Sequence, residues 1–217
     1  AEKVRFHSSG TEADMMALRM ARAYTQKSKV IKFKDHFHGW NDYLVADGDG
    51  LGGIPKETLS TVLVLPANDT QTLEKTLKED SDIAAIIIEP TGAHMGLEPV
   101  LPSFLEDLRR LSSEYGIVLI FDEVVTGFRI SSGGAQKYYG VTPDLTTLAK
   151  ILGGGLPGGA VCGKADIINM IETKDDPEYN KYRRVGHNGT FNANPLSASA
   201  GVTALGILKR DPVNEQA

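Results

Sequence analysis

Residues 117–123 read IVLIFDE, an apolar run that ends directly in a carboxylate. A short continuous apolar run that is rich in β-branched residues is typical of a strand buried on both faces. Residues 83–88, IAAIII, have the same character and are followed by Glu89. The segment between the two runs has the apolar spacing of a helix. Because strands that alternate with helices need crossover connections, we predict an α/β fold with a mostly parallel sheet.

The same alternation extends to both sides of these two strands. An apolar stripe at offsets of three and four predicts a helix over 10–25, and another helix is expected over 68–80 with Asn68 as its cap. Ser103 and Glu106 fit a capping box for the helix between the two strands. The remaining predictions are strands at 30–33, 62–65, 144–148 and 159–162, a short helix from 167, a last helix at about 196–208, and loops at 47–60 and 173–184.

The composition is that of an ordinary globular protein. The chain has 217 residues, 41% of them hydrophobic and 24% charged, which suffices for one large core or at most two domains. The net charge of −5 argues against a nucleic-acid partner, whose binding surface is usually basic. The single Cys162 excludes an intrachain disulfide framework, and no apolar run reaches the roughly 20 residues that a membrane-spanning helix needs. We therefore expect a cytoplasmic protein that binds neither nucleic acid nor membrane.

Lys150 follows one predicted strand, just as Asp122 and Glu89 follow two others. Ligands of open α/β sheets bind beyond the carboxyl ends of the strands, so we expect these three side chains in one site. Apolar neighbours predict that the Lys150 ammonium group is partly desolvated, and the glycines at 153–155 allow close packing around a flat ligand. The alternative is a solvated surface lysine, which is the commoner role of a lysine after a strand.

A lysine and a carboxylate in this arrangement suit pyridoxal phosphate. The lysine can hold the aldehyde as a Schiff base, and the carboxylate can pair with the protonated ring nitrogen, so that the ring accepts electrons. Asp122 has two other interpretations, a Mg²⁺ ligand and a helix cap. A dinucleotide loop is disfavoured because no G-x-G-x-x-G motif follows a strand and opens a helix here. The sequence thus predicts Lys150 and Asp122 as the catalytic pair.

Two further segments fit the same site. Ser9, Gly10 and Thr11 offer hydroxyl and amide groups at a helix start, which suits a phosphate group, although an ordinary N-cap explains them equally well. Phe37 lies in an aromatic loop, one ring of which can stack on a planar cofactor, and core packing is the alternative. The H-x-H pattern at 36–38 invites a metal interpretation, but no third ligand stands at a useful spacing, so we expect no metal.

Six motifs occur in an order that is more specific than any one of them: SGTEA at 9–13, FHG at 37–39, EPTG at 89–92, DEVVTGFR at 122–129, LAKILGGG at 148–155 and GTFNANP at 189–195. With these motifs the chain resembles the class III pyridoxal-phosphate aminotransferases of fold type I, near the branch of glutamate-1-semialdehyde 2,1-aminomutase. The resemblance implies that residues 1–217 form the three-layer α/β/α large domain that binds the cofactor. It also implies a fragment that lacks the family's N-terminal segment and C-terminal small domain.

The resemblance assigns roles to individual residues. Lys150 would carry the cofactor and shuttle protons, and Asp122 would pair with the pyridine nitrogen. Val124 and Phe37 would pack on the two faces of the ring. The other cofactor-binding residues that it implies are Ser9, Gly10, Thr11, His38 and Thr190, the last of which would reach the phosphate of a neighbouring subunit in a homodimer with shared active sites. The residues near the substrate would be Glu89, His94 and Trp40.

Three positions depart from the aminomutase pattern. Val125 stands where the aminomutase tends to have Met, His94 stands where it often has Asn or Gln, and Trp40 adds bulk after FHG. These differences favour a transaminase that moves an amino group between an amine or amino acid and a keto acceptor. The aminomutase, which moves the amino group within one molecule, is the first alternative. A cofactor-binding fragment without turnover is the second.

Overall fold

The computed structural model describes residues 1–211 and 213–216, and it describes only the backbone of His94, Met95, Glu215 and Gln216. Within the described residues, seven strands form one sheet in the order β1-β8-β7-β6-β4-β2-β3. The strands are β1 (Lys3–His7), β2 (Lys29–Phe33), β3 (Val62–Leu65), β4 (Ile83–Ile88), β6 (Val118–Asp122), β7 (Leu145–Ala149) and β8 (Gly159–Gly163), and the short β5 (Glu98–Pro99) lies outside this sheet.

Helices cover the sheet and connect its strands. They are α1 (Gly10–Thr25), α2 (Lys56–Leu59), α3 (Thr70–Glu79), α4 (Ala93–Gly96), α5 (Pro102–Glu114), α6 (Gly134–Tyr139), α7 (Ala165–Ile168), α8 (Pro177–Tyr182), α9 (Pro195–Arg210) and α10 (Val213–Gln216), with 3₁₀ turns at Lys150–Gly153 and Asn169–Ile171. In the described part of the chain, none of these helices has the length and apolar character that crossing a bilayer requires.

The sheet is mostly parallel, as the alternation of elements predicts. The pairs β2–β3, β2–β4, β4–β6 and β6–β7 are parallel, whereas β8 is antiparallel to both of its neighbours. The reason is the connection after β7, because residues 150–158 are too few for the crossover of about a dozen residues that a parallel strand needs. β1 lies outside the predicted elements, since it is an edge strand whose side chains are mostly exposed and carry no apolar run.

Two hydrophobic cores lie on the two faces of the sheet, which gives the three layers. Alternate residues of β4 divide between them, because Ala85 and Ile87 pack with α1, while Ile86 and Ile88 pack with α3 and α5. All six residues of β4 are buried. Full burial of one Ile or Leu side chain stabilises the fold by about 1.5–3 kcal/mol, so this strand contributes strongly to both cores.

Two helix starts differ from the predictions. Asp69, not Asn68, caps α3, and Asn68 adopts φ +64° and bonds instead to the backbone of Pro99 and Leu101. The predicted capping box at the start of α5 does not form. Pro102 occupies the first turn there, and its fixed φ preorganises the helix without a side-chain cap.

The two predicted loops each contain a short helix. α2 lies within 47–60 and contains no buried residue, so no apolar stripe marks it in the sequence. α8 lies within 173–184, and its N-cap is Asp176, whose carboxylate accepts the N–H groups of Glu178 and Tyr179. Asp176 followed by Pro177 is the local signal for this helix. The polar composition of the segment led instead to the prediction of a loop.

The loop after β2 packs against the first turn of α1 and so approaches the carboxyl edge of the sheet. The Trp40 N–H donates to Thr11 Oγ1 at 3.2 Å. Gly39 has φ +84°, and a Cβ atom there would overlap the Thr11 side chain. The loop therefore needs glycine at this position both for its backbone conformation and for the space beside α1.

Asp144 anchors the opposite end of β7. Its carboxylate accepts from Lys164 Nζ at 2.6 Å, from Arg109 Nη2 at 3.1 Å and from the Leu119 N–H at 2.8 Å. Burial by itself would raise the pKa of Asp144, but these donors, Lys164 foremost, lower it below its ordinary value of 3.8. The folded chain therefore favours the ionised carboxylate more than the unfolded chain does.

We expect Gly39→Ala to destabilise the protein more than Gly50→Ala does. Both glycines have φ above +80°, but a Cβ atom at Gly50 would meet no atom within 4 Å. Placing alanine at a positive φ therefore lowers the stability of both variants by about 1 kcal/mol. The clash with Thr11 lowers that of Gly39→Ala by about 1–3 kcal/mol more. Chemical denaturation of the two variants measures the difference, and equal losses would contradict the close packing of this loop on α1.

We expect Asp144→Asn to lower the free energy of unfolding by about 2 kcal/mol near neutral pH, because it removes the charge that its three donors stabilise. A depressed carboxyl pKa gives stability that is present above the unfolded pKa of 3.8 and is lost as the pH falls through the folded pKa. The difference from the wild type should therefore shrink in acid.

Denaturation curves recorded across acidic and neutral pH check this prediction. Asp211→Asn is the matched control, since Asp211 pairs with the exposed Arg210 and should contribute about 1 kcal/mol or less. A difference between Asp144→Asn and the wild type that does not change with pH would contradict the assigned electrostatic role.

Candidate functional site

The carboxyl ends of the central strands surround a cavity of about 560 Å³, which we call the strand-end cavity. Asp122 is the last residue of β6, Lys150 directly follows β7, and Glu89 directly follows β4. The cavity is lined by Ser8, Ser9, Gly10, Thr11, Asp14, Phe37, Gly39, Trp40, Glu89, Asp122, Val124, Val125, Ala149, Lys150, Leu156, Pro157 and Gly158. The fold thus brings together most of the predicted site residues.

Lys150 begins a 3₁₀ turn directly after β7. Its φ of +48° is unusual for a residue with a side chain, and such strain is often found at functional sites. The Lys150 residue is exposed at the cavity, and the partial desolvation of its ammonium group stays a prediction. The chain leaves the sheet at this residue, and the apolar residues before and after it therefore do not enclose its side chain.

Asp122 is buried and held by two N–H donors. His38 Nδ1 donates to Oδ2 at 2.7 Å, and the Val124 N–H donates to Oδ1 at 3.0 Å. Hydrogen bonds of this kind favour the charged form of a carboxylate. His38 is itself 1% exposed, and its Nε2 atom has no hydrogen-bond partner among the residues that the structure describes. His38 therefore stands behind Asp122 and orients it.

Glu89 ties the aromatic loop to β4. Its Oε1 accepts from the Phe37 N–H at 2.7 Å, and its own N–H donates to His36 Nδ1 at 3.1 Å. Burial raises the pKa of Glu89, and the neighbouring Asp122 raises it further, while the Phe37 amide acts in the opposite direction. Glu89 therefore fixes the loop that carries Phe37 and His38 over the cavity.

The first turn of α1 forms one wall of the cavity. Ser9 is the N-cap, and its Oγ accepts from the Glu12 N–H at 3.3 Å. The Gly10 and Thr11 amides belong to the turn that has no intrahelical acceptors, and both residues line the cavity. A Cβ atom on Gly10 would lie 2.9 Å from Val124 Cγ2, so glycine allows the helix to approach Val124. The N-cap and anion-site interpretations of this segment therefore apply together.

The aromatic and apolar residues stand at the rim of this cavity. Phe37 is 72% exposed and Trp40 is 78% exposed, so neither packs in the core. Val124 and Val125 both line the cavity and are partly buried. Core packing, the alternative for the aromatic loop, is therefore wrong for these two rings, because the loop holds them above the strand ends.

Thr190 and His38 are predicted cofactor-binding residues that the described cavity lining does not include. Thr190 is exposed and is absent from the described cavity lining, so its predicted contact with a neighbouring subunit stays a prediction. The side chain of His94 lies outside the described residues, and its predicted place near the substrate also stays a prediction.

Two further carboxyl groups near the site are buried, and sequence reasoning missed the first of them, Asp14. Asp14 lines the cavity, and its spacing of three, four and seven residues from Ala17, Leu18 and Ala21 is the signal that marks it as part of a buried helix face. Glu123 is 1% exposed and accepts the N–H groups that begin α6, among them that of Ala135. It points away from Asp122, as expected on an extended backbone.

Comparison with known proteins agrees with this geometry. Residues 1–217 match the family described as Aminotransferase class-III. The glutamate-1-semialdehyde 2,1-aminomutase of Desulfotalea psychrophila is 50% identical over 220 residues, which cover 97% of this chain and 49% of that protein. This chain therefore spans about half the length of the curated relatives that it matches.

Solved structures of the same architecture are also similar. An omega-transaminase from Sphaerobacter thermophilus superposes with a TM-score of 0.86 at 41% identity, over 97% of this chain and 50% of that one. A structure described as a transaminase with PLP bound gives a TM-score of 0.84 at 35% identity, over 95% of this chain and 50% of that one. The fold, the ordered motifs and the family match agree, and the chain belongs to the class III aminotransferases.

Proposed function

We propose that this chain binds pyridoxal phosphate in the strand-end cavity and that the protein containing it is an intermolecular transaminase. The observation that carries the proposal is the convergence of Lys150, Asp122 and the first turn of α1 on one cavity. An amine, an ionised carboxylate and a set of free helix amides are the three groups that an aldehyde, a ring nitrogen and a phosphate require. The bound cofactor of a structurally similar transaminase supports the same assignment.

The residues present fit this cofactor. The Gly10 and Thr11 amides, with Ser9 beside them, suit a phosphate group, because a helix N-terminus favours an anion. A side chain at position 10 would strike Val124, so glycine lets the first turn of α1 lie close to a residue that would cover one face of the ring. Val124 and Phe37 both line the cavity and can cover the two faces of a flat ring.

Each polar residue has a defined task in the proposed reaction. When bound, pyridoxal phosphate supplies an electron-withdrawing ring that makes the proton beside the substrate nitrogen acidic. Lys150 Nζ holds the cofactor and moves that proton. Asp122 would pair with the ring nitrogen, and His38 Nδ1 and the Val124 N–H hold its carboxylate in place by donating to it. Glu89 keeps the loop of Phe37 and His38 in place.

The charge of the cavity supports a transaminase with an apolar amine over the aminomutase. Among the described lining residues, Lys150 is the one cation, and Asp14, Glu89 and Asp122 are acidic. A glutamate derivative, the substrate named for the aminomutases, carries its own carboxylate, for which the described lining offers no cation besides Lys150, whereas an apolar amine needs none. Trp40 at the rim instead provides an aromatic surface for the apolar part of an amine.

The aminomutase remains the second candidate because the 50% identity to one such enzyme favours it. A homodimer in which Thr190 reaches the partner's cofactor phosphate is part of the proposal, and the exposure of Thr190 is compatible with it. A cytoplasmic location is also part of the proposal.

We expect the protein mixed with pyridoxal phosphate to show visible absorbance that borohydride removes, leaving the cofactor attached to the peptide that contains Lys150. Lys150→Ala should lose this covalent label, because no other amine lines the described cavity. Peptide mass spectrometry after reduction makes the measurement. Lys137→Ala, which changes an exposed lysine outside the strand-end cavity, is the control and should label normally. A full label in Lys150→Ala would contradict the assignment.

We expect amino transfer from an arylalkyl amine to proceed only when a keto acid is added as the acceptor. Two molecules exchange the amino group in a transaminase, whereas an aminomutase needs one substrate alone. Chromatography of the amine and keto products, with each substrate omitted in turn, distinguishes the two. Conversion of glutamate-1-semialdehyde without an acceptor, at a rate above that of the amine pair, would favour the aminomutase instead.

A further inference from the structure

Asp14 is a buried carboxyl group to which the proposed chemistry gives no role. It is 1% exposed, it lies one helical turn after Gly10 on α1, and it borders the strand-end cavity. Ala13, Ala17 and Ala21 on the same helix are fully buried and bring α1 close to the sheet. An aspartate at such a place is costly unless it is neutral or well paired.

The partners of Asp14 come from the two strands below it. Thr147 Oγ1 donates to Asp14 Oδ1 at 2.6 Å, and Thr147 on β7 is the register partner of Asp122 on β6. Asp14 and Asp122 therefore border the strand-end cavity on either side of one threonine. The hydroxyl of Thr147 bonds one of the two carboxyl oxygens of Asp14.

The three carboxyl groups of the cavity differ in how well their negative charge is stabilised. Asp122 accepts two N–H groups, and Glu89 accepts the Phe37 N–H, whereas Asp14 accepts the Thr147 hydroxyl. Burial raises the pKa of Asp14 well above its ordinary value, and the charges of Asp122 and Glu89 raise it further, while the Thr147 hydroxyl lowers it. Of the three carboxyl groups, Asp14 therefore has the environment that stabilises a negative charge least.

We propose that Asp14 is a neutral carboxylic acid that donates its proton in a hydrogen bond to Asp122, and that it acts as a positioning residue for the ring-nitrogen partner. A neutral donor on Asp122 fixes the orientation of that carboxylate and reduces its basicity without adding a charge. The second half of this inference rests on the proposed function, because Asp122 meets a ring nitrogen only when the cofactor is bound.

The protonation state is testable in the cofactor-free protein. In protein labelled with carbon-13 at the aspartate carboxyl carbons, the resonance that Asp14→Asn removes should have the shift of a carboxylic acid near neutral pH. Asp144→Asn is the matched control, since Asp144 is equally buried but ion-paired, and the resonance that it removes should have the shift of a carboxylate. A carboxylate shift for Asp14 would overturn the proposal.

The positioning role is tested with two substitutions at the same residue. Asp14→Asn keeps a neutral N–H donor toward Asp122 and an oxygen for Thr147, so kcat should stay within about threefold of the wild type near neutral pH. Asp14→Ala removes the donor, and kcat should fall about tenfold or more while the affinity for pyridoxal phosphate changes less. Thermal unfolding of both variants shows whether Asp14→Ala still folds, and the asparagine variant decides the question if it does not.

The pH profile separates this role from a merely structural one. As the pH rises through the pKa of Asp14, a second negative charge would form beside Asp122, so wild-type kcat should gain an alkaline limb that Asp14→Asn lacks. The other ionisable groups that line the cavity with Asp14 are Glu89, Asp122 and Lys150, and His38 lies behind Asp122; all four are the same in both proteins. Identical alkaline limbs in the two proteins would overturn the proposal.

The outcomes also separate this inference from the proposed function. If the carboxylic acid shift is present but no protein binds pyridoxal phosphate, the protonation of Asp14 is supported and the proposed function fails. If the cofactor binds and turns over but Asp14→Asn and Asp14→Ala lose kcat equally, the positioning role fails and the proposed function stands.

Discussion

The structure depends on the position of one buried carboxylate, Asp122, at the carboxyl end of the central strand β6. A negative charge in a core is costly unless N–H groups replace the water that it loses, and His38 Nδ1 and the Val124 amide do so here. His38 reaches this place because Glu89, directly after the neighbouring strand β4, accepts the Phe37 N–H and donates its own N–H to the ring of His36. The end of β6, the end of β4 and the loop that carries His38 thus together hold the Asp122 carboxylate in place.

Close packing of α1 against the strand ends forms the other wall of the cavity. α1 can lie against the strand ends because its buried face is built from alanines and because Gly10 has no side chain to strike Val124. The same approach brings the first helical turn, with its unpaired amides, beside Lys150 and places Asp14 over Thr147. The proposed phosphate site at the helix start and the proposed protonation of Asp14 both depend on this close approach of α1 to the sheet.

Much of the fold was predictable from local patterns, because continuous apolar runs and apolar stripes report burial directly. The strands at 83–88 and 117–121, the helix at 10–25 and the mostly parallel sheet are confirmed. The caps of α3 and α5 were not predictable, since neighbouring polar residues can each serve as a cap. Asn68 bonds the backbone of Pro99 and Leu101 instead, which are distant in sequence, and Asp69 caps α3. β1 was missed because an edge strand needs no apolar run.

From the sequence alone, the ordered motifs were enough for the family and the apolar runs were enough for the central strands and helices. The sequence also placed Lys150 and Asp122 at one edge of the sheet, because the carboxyl ends of parallel strands share that edge and each of these residues follows an apolar run. Only the tertiary structure decided that Lys150 is exposed, that His38 orients Asp122 and that Asp14 lies beside it. These facts depend on distances between residues far apart in the chain. Burial and hydrogen bonding at such distances set the charge of each group, and no spacing along the sequence encodes them.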